Sequence, residues 1–192
     1  VMTEAELRAE RAGLSESLRG ETQAGKFPYP FGSAKEMLSM GATSGKTIAE
    51  MKHANERQIH GDALDAEIDA IWAAMDACVS RGLATEGTLP GGRKGRRRAA
   101  VSYAKLLAER GHNLVQPHVA NDWMSVYAMA VNEENAAGGR VVTSPTNGAA
   151  GVVPAVVRYY REHCIGATDG GVRDILLVAA AIGGLIKHNA SI

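Results

Sequence analysis

With 192 residues, 45% of them hydrophobic and 22% charged, the chain is long enough for one domain with its own core and has the composition of a soluble globular protein. The 21 basic and 21 acidic residues balance to a formal charge of zero, which disfavours nucleic acid and membrane surfaces as partners. No apolar run is long enough to span a bilayer, and two distant cysteines make no disulfide framework, so we expect a cytoplasmic protein.

Both ends of the chain indicate a piece of a longer protein. Val1 precedes Met2, and the last segment stays apolar up to Ile192 without a stop signal. Residues 1–20 contain strong helix formers but few apolar positions. We therefore expect residues 1–25 to be a linker or N-terminal helix, and the remainder to be a domain truncated at its C-terminus.

Two capping patterns predict the first two helices of the domain that follows. Ser33 with Glu36 predicts a short helix to Met40, and Thr47 with Glu50 predicts a second helix to about Ile59.

The third predicted helix, over residues 65–81, is the most clearly amphipathic, and Gly82 is its predicted end. Its apolar face contains Ile68, Ile71, Trp72, Met75, Cys78 and Val79. Because Cys78 lies on that face, we expect a buried core thiol there.

The stretch from Gly91 to Arg98 carries five basic residues in eight positions. We expect a flexible loop whose last arginines begin a helix over residues 98–110, with Val101, Leu106 and Leu107 facing inward. A nucleic-acid-binding arm is the alternative, but no aromatic residues are interleaved with the arginines. A role near an anionic substrate stays open.

A helix over residues 119–135 ends in the polar residues Glu133, Glu134 and Asn135. These residues are either a solvated helix end or a support that orients the loop after them. Their position just before that loop favours the second interpretation. The predicted buried side of the helix consists of Val119, Trp123, Val126, Tyr127, Ala130 and Val131.

The loop that follows surrounds Pro145 with hydroxyl and amide side chains and leads into an apolar helical pattern. Proline fixes its own φ and extends the residue before it, and Asn147-Gly148 is typical of a turn or a helix start. Backbone N–H groups at a helix start favour an anion, so we expect a small carboxylate to bind here. The candidate binding residues are Thr143, Ser144, Thr146, Asn147 and Gly148.

The last part of the chain offers little chemistry of its own. His163 and Cys164 are too few for a closed metal site. Residues 172–186 are almost entirely apolar and predict a central buried helix, and Lys187 and Asn189 at its polar tip are further candidates to support the loop. Only Val141-Val142 hints at a strand. The predicted fold is therefore all-α, with about eight helices around one or two long buried ones.

Several blocks of this sequence resemble the iron–sulfur-dependent L-serine dehydratases (L-serine ammonia-lyases). The resemblance covers roughly residues 26–192, which would be the N-terminal part of the catalytic alpha domain. The blocks are GGRVVTSPTNGAAGVVPAVVRYY (138–160), Pro28–Phe31, Ser33-Ala34, Asn55-Glu56 with His60, Cys78, Arg81-Gly82, Thr85–Gly87, Leu89–Gly91, Asp122-Trp123, Ala130–Ala137 and Ala179–Ile192.

This resemblance implies that the full-length protein converts L-serine to pyruvate and ammonia with a [4Fe-4S] cluster as Lewis acid. It places the substrate carboxylate on the Thr143–Gly148 loop, where Ser144 replaces the alanine common in the family. The cluster cysteines and the proposed base, a histidine of an N-terminal beta domain, would lie outside this chain. We therefore assign no catalytic residue and no metal ligand here, and expect no cluster on this piece alone.

The partners expected from the resemblance are L-serine, the beta domain on the same or a separate chain, and further copies in a homo-oligomer. Two alternatives stay open at this point. One is a helical interaction module without catalysis. The other is a related dehydratase that acts on threonine, because one methyl group supports only about 1–3 kcal/mol of discrimination.

Overall fold

The computed structural model of the chain describes residues 27–92, 94–110, 118–143 and 147–190. These residues form helices and connections without a β-strand, apart from an isolated bridge between Thr88 and Arg96. The predicted all-α fold is confirmed. The expected N-terminal helix, residue 93, Ser144–Thr146 and Ser191 lie outside the described residues.

Seven α-helices lie within the described ranges, together with short 3₁₀ turns at Gly61–Ala63 and Asn147–Ala149. None of these helices is both long and apolar enough to cross a membrane. The helices are α1 (Ala34–Ser44), α2 (Ile48–His60), α3 (Leu64–Ala84), α4 (Ala99–Glu109), α5 (Val119–Ala136), α6 (Val152–His163) and α7 (Asp169–Asn189).

The chain divides into two compact units between Leu64 and Asp65. In the first unit, both predicted capping patterns form. The Ser33 hydroxyl accepts from the backbone N–H of Glu36 at 3.2 Å.

The Thr47 hydroxyl likewise accepts from the N–H of Glu50 at 3.2 Å, while the Glu50 carboxylate accepts from the N–H of Thr47 at 2.8 Å. Such reciprocal bonds satisfy donors that a helix start leaves unpaired. α1 continues past the expected end at Met40 to Ser44.

The core of the second unit forms around α5, which packs against α4 and α6. Trp123, Tyr127 and Val131 on α5 are 4%, 0% and 1% exposed. The ring of Tyr103 on α4 meets Trp123 edge-on at 5.8 Å. Each such buried side chain stabilises the fold by about 1.5–3 kcal/mol, so α5 is the helix on which this unit depends.

Two glycines allow other segments to lie against the backbone of α5. A Cβ on Gly82 would lie 2.3 Å from the carbonyl oxygen of Ala130, and one on Gly151 would lie 2.6 Å from that of Ala128. The prediction that Gly82 ends α3 is therefore wrong. The helix continues to Ala84, and the glycine is needed for a close helix crossing.

Arginines on α6 and α7 pair with aspartates on α3. Arg158 binds Asp76 at 2.5 Å, and Arg173 binds Asp65 and Asp69 at 2.6 Å each. Because these pairs are partly exposed, each contributes at most about 1 kcal/mol, and their main effect is to fix the register of the helices.

Two predicted inward faces differ from the structure. On α4, Val101 and Leu107 are 49% and 40% exposed. The residues that face the core there are Ala99, Tyr103 and Leu106, which share one face of the helix at four- and three-residue spacing.

Similarly, α7 is not buried on all sides. Val172 and Leu176 are buried, but Ile182 and Ile186 are 45% and 55% exposed. Apolar sequence all round a helix predicts burial, but Ile182 and Ile186 remain exposed in the described part of the chain although α7 packs against α6.

Candidate functional site

The described part of the candidate loop is open to solvent. Thr143, Asn147 and Gly148 are all exposed. Asn147 begins the short 3₁₀ turn Asn147–Ala149, and the N-cap of α6 is Gly151 four residues later. Asn147 therefore lies in a turn before the helix and does not cap it. Ser144 and Thr146 lie outside the described residues.

The helix end before this loop closes with a Schellman motif. The N–H of Gly139 donates to the carbonyl of Glu134 at 2.8 Å, and the N–H of Gly138 donates to that of Asn135 at 3.1 Å. Gly138 has a φ of 76°, which only glycine adopts at low cost. This motif satisfies the last carbonyls of α5 and turns the chain toward Arg140.

Glu134 is the centre of a buried ion cluster. Its carboxylate accepts from Arg97 Nη1 at 2.9 Å and from Arg81 Nε at 3.1 Å. The side chains of Glu134 and Arg97 are each 8% exposed. Arg81 also donates to the carbonyl of Arg140 at 2.8 Å, so the cluster joins α3, the basic stretch and the chain that leads to the loop.

The described part of the basic stretch is a loop, as predicted, but it is tied to the rest of the fold. Its chain is held by backbone bonds from Leu89 N to Gly95 O at 2.7 Å and from Arg97 N to Gly87 O at 2.8 Å. Arg97 is buried because it pairs with a glutamate far away in the sequence. Helix α4 begins only at Ala99.

Glu133 binds the start of α4. Its carboxylate accepts from the N–H of Arg98 at 2.7 Å and from that of Ala99 at 3.4 Å. A negative charge at a helix N-terminus is favourable because the first N–H groups and the helix dipole are positive there. Both glutamates are buried, at 6% exposure each, so this helix end is not a solvated one.

Asn135 is the residue of this helix end that reaches the loop. Its Oδ1 accepts from Asn147 Nδ2 at 3.3 Å. By contrast, Lys187 and Asn189 are exposed on the last turn of α7, and Asn189 donates to the carbonyl of Leu185 in its own helix at 2.8 Å. Neither has a hydrogen bond or ion pair to the described residues of the loop.

A second polar network, partly buried between α5 and α6, was not predicted from the sequence. Tyr127 donates to Glu162 Oε2 at 2.6 Å, and its hydroxyl lies 3.1 Å from His163 Nε2. His163 stacks on Tyr159 at 4.8 Å and lies 4.7 Å from Trp123.

Burial, together with the bond to Glu162, raises the pKa of Tyr127 well above its usual range. Burial lowers the pKa of His163, and the nearby Arg110 lowers it further. The network links two core helices. In the sequence, the only feature that drew attention to this region was that His163 and Cys164 are neighbours.

The two cysteines lie in different environments. Cys78 is 1% exposed within α3, as predicted for a core thiol, and burial raises its pKa. Cys164 is exposed after α6. The described residues contain no group of three or more His, Cys, Asp or Glu that could hold a metal ion.

The family profile described as serine dehydratase alpha chain matches residues 42–192. The chain belongs to this family. It is 49% identical to the L-serine dehydratase of Streptomyces coelicolor over 165 residues, which are 85% of this chain and 35% of that protein. It is 43% identical to that of Haemophilus influenzae (87% and 37%) and 39% identical to that of Helicobacter pylori (100% and 40%).

The resemblance to serine dehydratases is thus confirmed. The chain spans between 35% and 40% of the length of these three relatives, all of which are named L-serine dehydratase.

Proposed function

We propose that the protein containing this chain is an L-serine ammonia-lyase, which eliminates the hydroxyl and the α-proton of L-serine to give aminoacrylate, which water then hydrolyses to pyruvate and ammonia. Membership of the serine dehydratase alpha chain family and the names of the relatives support this function. We also propose that the protein works with a beta domain on the same or a separate chain, that it forms a homo-oligomer and that it is located in the cytoplasm.

In this proposal the alpha domain contributes the binding of the substrate. The single observation that carries it is the exposure of Asn147 on a polar loop, where its side chain is hydrogen-bonded to the end of α5. Donors in this loop would bind the carboxylate of L-serine: the hydroxyls of Thr143, Ser144 and Thr146, the amide of Asn147 and the N–H of Gly148. Neutral N–H and O–H groups can donate to a carboxylate, and hydrogen bonds to a charged group are stronger than those between neutral groups.

The ion cluster beside the loop would add a favourable charge. Two arginines share the single carboxylate of Glu134, so the cluster carries a net positive charge. Arg81 is 44% exposed and contacts the carbonyl of Arg140, three residues before Thr143. A cation at this place favours the approach of a small anion, although salt weakens the effect.

We include the [4Fe-4S] cluster implied by the family in the proposed function of the whole protein. The residues of this chain do not fit it, because such a cluster needs at least three cysteine ligands and the chain has two, one of them buried in α3. Its ligands would therefore come from outside this chain.

The test is 2-oxo acid formation by the whole protein, purified and assayed without oxygen, with pyruvate measured as the product from serine and 2-oxobutyrate as the product from L-threonine. We expect turnover of L-serine, and slower or no turnover of D-serine and L-threonine at equal concentration. Boiled protein and protein treated with an iron chelator are the controls. Absence of pyruvate from L-serine in a preparation with full iron and sulfide content would contradict the proposed function.

A further inference from the structure

The hydrogen bond between Asn147 and Asn135 joins an exposed turn to the partly buried end of a helix. Asn147 is exposed in a 3₁₀ turn of three residues, whereas Asn135 is partly buried in the last turn of α5. Nδ2 of Asn147 donates to Oδ1 of Asn135 at 3.3 Å. The backbone carbonyl of Asn147 accepts from the N–H of Ala150 at 3.2 Å, whereas its side-chain oxygen Oδ1 accepts no hydrogen bond among the described residues.

Asn135 is held firmly because its neighbours are. Glu133 binds the start of α4 and Glu134 binds two arginines, so the residues just before Asn135 are tied to two other segments. The carbonyl of Asn135 itself accepts from Gly138 at 3.1 Å within the Schellman motif. Bonds of this kind restrict the backbone on which its side chain stands.

The turn that carries Asn147 is placed next to Asn135 because the helix that follows it, α6, starts close against α5. Gly151 lies so close to α5 that a Cβ there would be 2.6 Å from the carbonyl oxygen of Ala128. The start of α6 is therefore fixed against α5 four residues after Asn147. The backbone on both sides of the contact is set by packing, but the side chain of Asn147 is free to rotate unless something holds it.

We propose that Asn135 is a positioning residue for substrate binding, and that it holds the amide of Asn147 in one orientation. An asparagine amide has two donors and one acceptor, and rotation about its last bond exchanges them. The bond to Asn135 uses one N–H and leaves the other N–H and the oxygen for a ligand. This inference rests on the proposed function, because the ligand is L-serine.

The proposal predicts that the effects of the two asparagine side chains on the dissociation constant of L-serine are coupled. If Asn135 acts only through Asn147, its removal matters only while Asn147 is present. One neutral hydrogen bond is worth about a two- to tenfold change in an equilibrium constant. We therefore expect Asn135→Ala to raise the dissociation constant of L-serine about two- to tenfold in the parent protein, and to have no further effect in an Asn147→Ala background.

The experiment is calorimetric titration of L-serine into four forms of the whole protein, namely the parent, both single variants and the double variant, each treated with an iron chelator so that turnover does not consume the ligand. Asn132→Ala is the matched control, since Asn132 is exposed on the same helix and has no hydrogen bond from its side chain in the described part of the chain. Asn135→Asp keeps an accepting oxygen and should restore binding to within about twofold of the parent in salt that screens its charge.

Each outcome decides between explanations. An equal loss from Asn135→Ala in both backgrounds, or no loss in either, overturns the positioning role. Failure of Asn135→Asp to restore binding overturns the assigned direction of the hydrogen bond, and with it the inference. If the parent binds no L-serine, the proposed function fails first and this inference falls with it. Thermal unfolding of every variant separates these results from a folding defect.

Discussion

The members of the ion cluster formed by Glu134, Arg97 and Arg81 should contribute unequally to the free energy of unfolding. Glu134 and Arg97 have side chains that are 8% exposed, whereas Arg81 is 44% exposed. Removal of one partner from a buried ion pair costs about 3–5 kcal/mol because the other charge is left without compensation. A half-exposed pair contributes about 0–1 kcal/mol, since water screens it.

Glu134→Gln should therefore lower the free energy of unfolding by about 3 kcal/mol, at the low end of the range because glutamine keeps one accepting oxygen. Arg81→Met should cost about 1 kcal/mol or less. Glu86→Gln, at an exposed position, is the matched control and should change stability by less than about 0.5 kcal/mol.

Amide hydrogen exchange of the α4 and α5 peptides within the whole protein measures these changes locally. The cluster contacts α5 through Glu134 and lies next to the start of α4, so protection should fall in both helices. Equal losses for Glu134→Gln and Arg81→Met would refute the reasoning, because burial would then not determine the cost.

Three further predictions concern the core. Burial lowers the pKa of His163 below its ordinary 6.5, so the unfolded state binds the proton more readily and stability should fall as pH drops below about 6.5. His163→Gln should therefore flatten the dependence of the melting temperature on pH, and an unchanged dependence would contradict this. Alkylation followed by peptide mapping should label exposed Cys164 long before Cys78, whose thiol is buried and has a raised pKa; equal rates would argue against the packing of α3. Gly82→Ala should lower stability by about 1–3 kcal/mol, because the new Cβ would meet the backbone of Ala130, and an unchanged melting temperature would show that the crossing is looser.

Local chemistry was the part of the fold that the sequence predicted best. The caps at Ser33 and Thr47, and the α5 face that contains Trp123 and Tyr127, depend on residues a few positions apart, and all of them formed as expected. Such patterns are reliable because the interacting groups are neighbours in the chain.

Pairings over long separations were not predictable. Arg97 looked like a loop arginine because nothing near it in the sequence shows that Glu134 lies beside it. Gly82 looked like a helix end because the approach of the Ala130 backbone is visible only in the fold. Ile182 on α7 looked buried because composition does not tell how many sides of a helix have neighbours.

At the candidate site too, local features were predictable and contacts between distant residues were not. The polar loop and the polar end of α5 were recognised because both are unusual in composition. The bond between Asn135 and Asn147, twelve residues apart across a turn, required the structure. So did the burial of Glu133 and Glu134, which distinguishes a fixed support from a solvated helix end.

The measurement that tests the central claim most directly is the affinity of the whole protein for L-serine with and without the side chain of Asn147. Loss of a hydrogen bond to a charged ligand group corresponds to about a ten- to hundredfold change, so Asn147→Ala should weaken L-serine binding by that factor while the melting temperature stays the same. Identical titration curves for the two proteins would show that this loop does not hold the substrate.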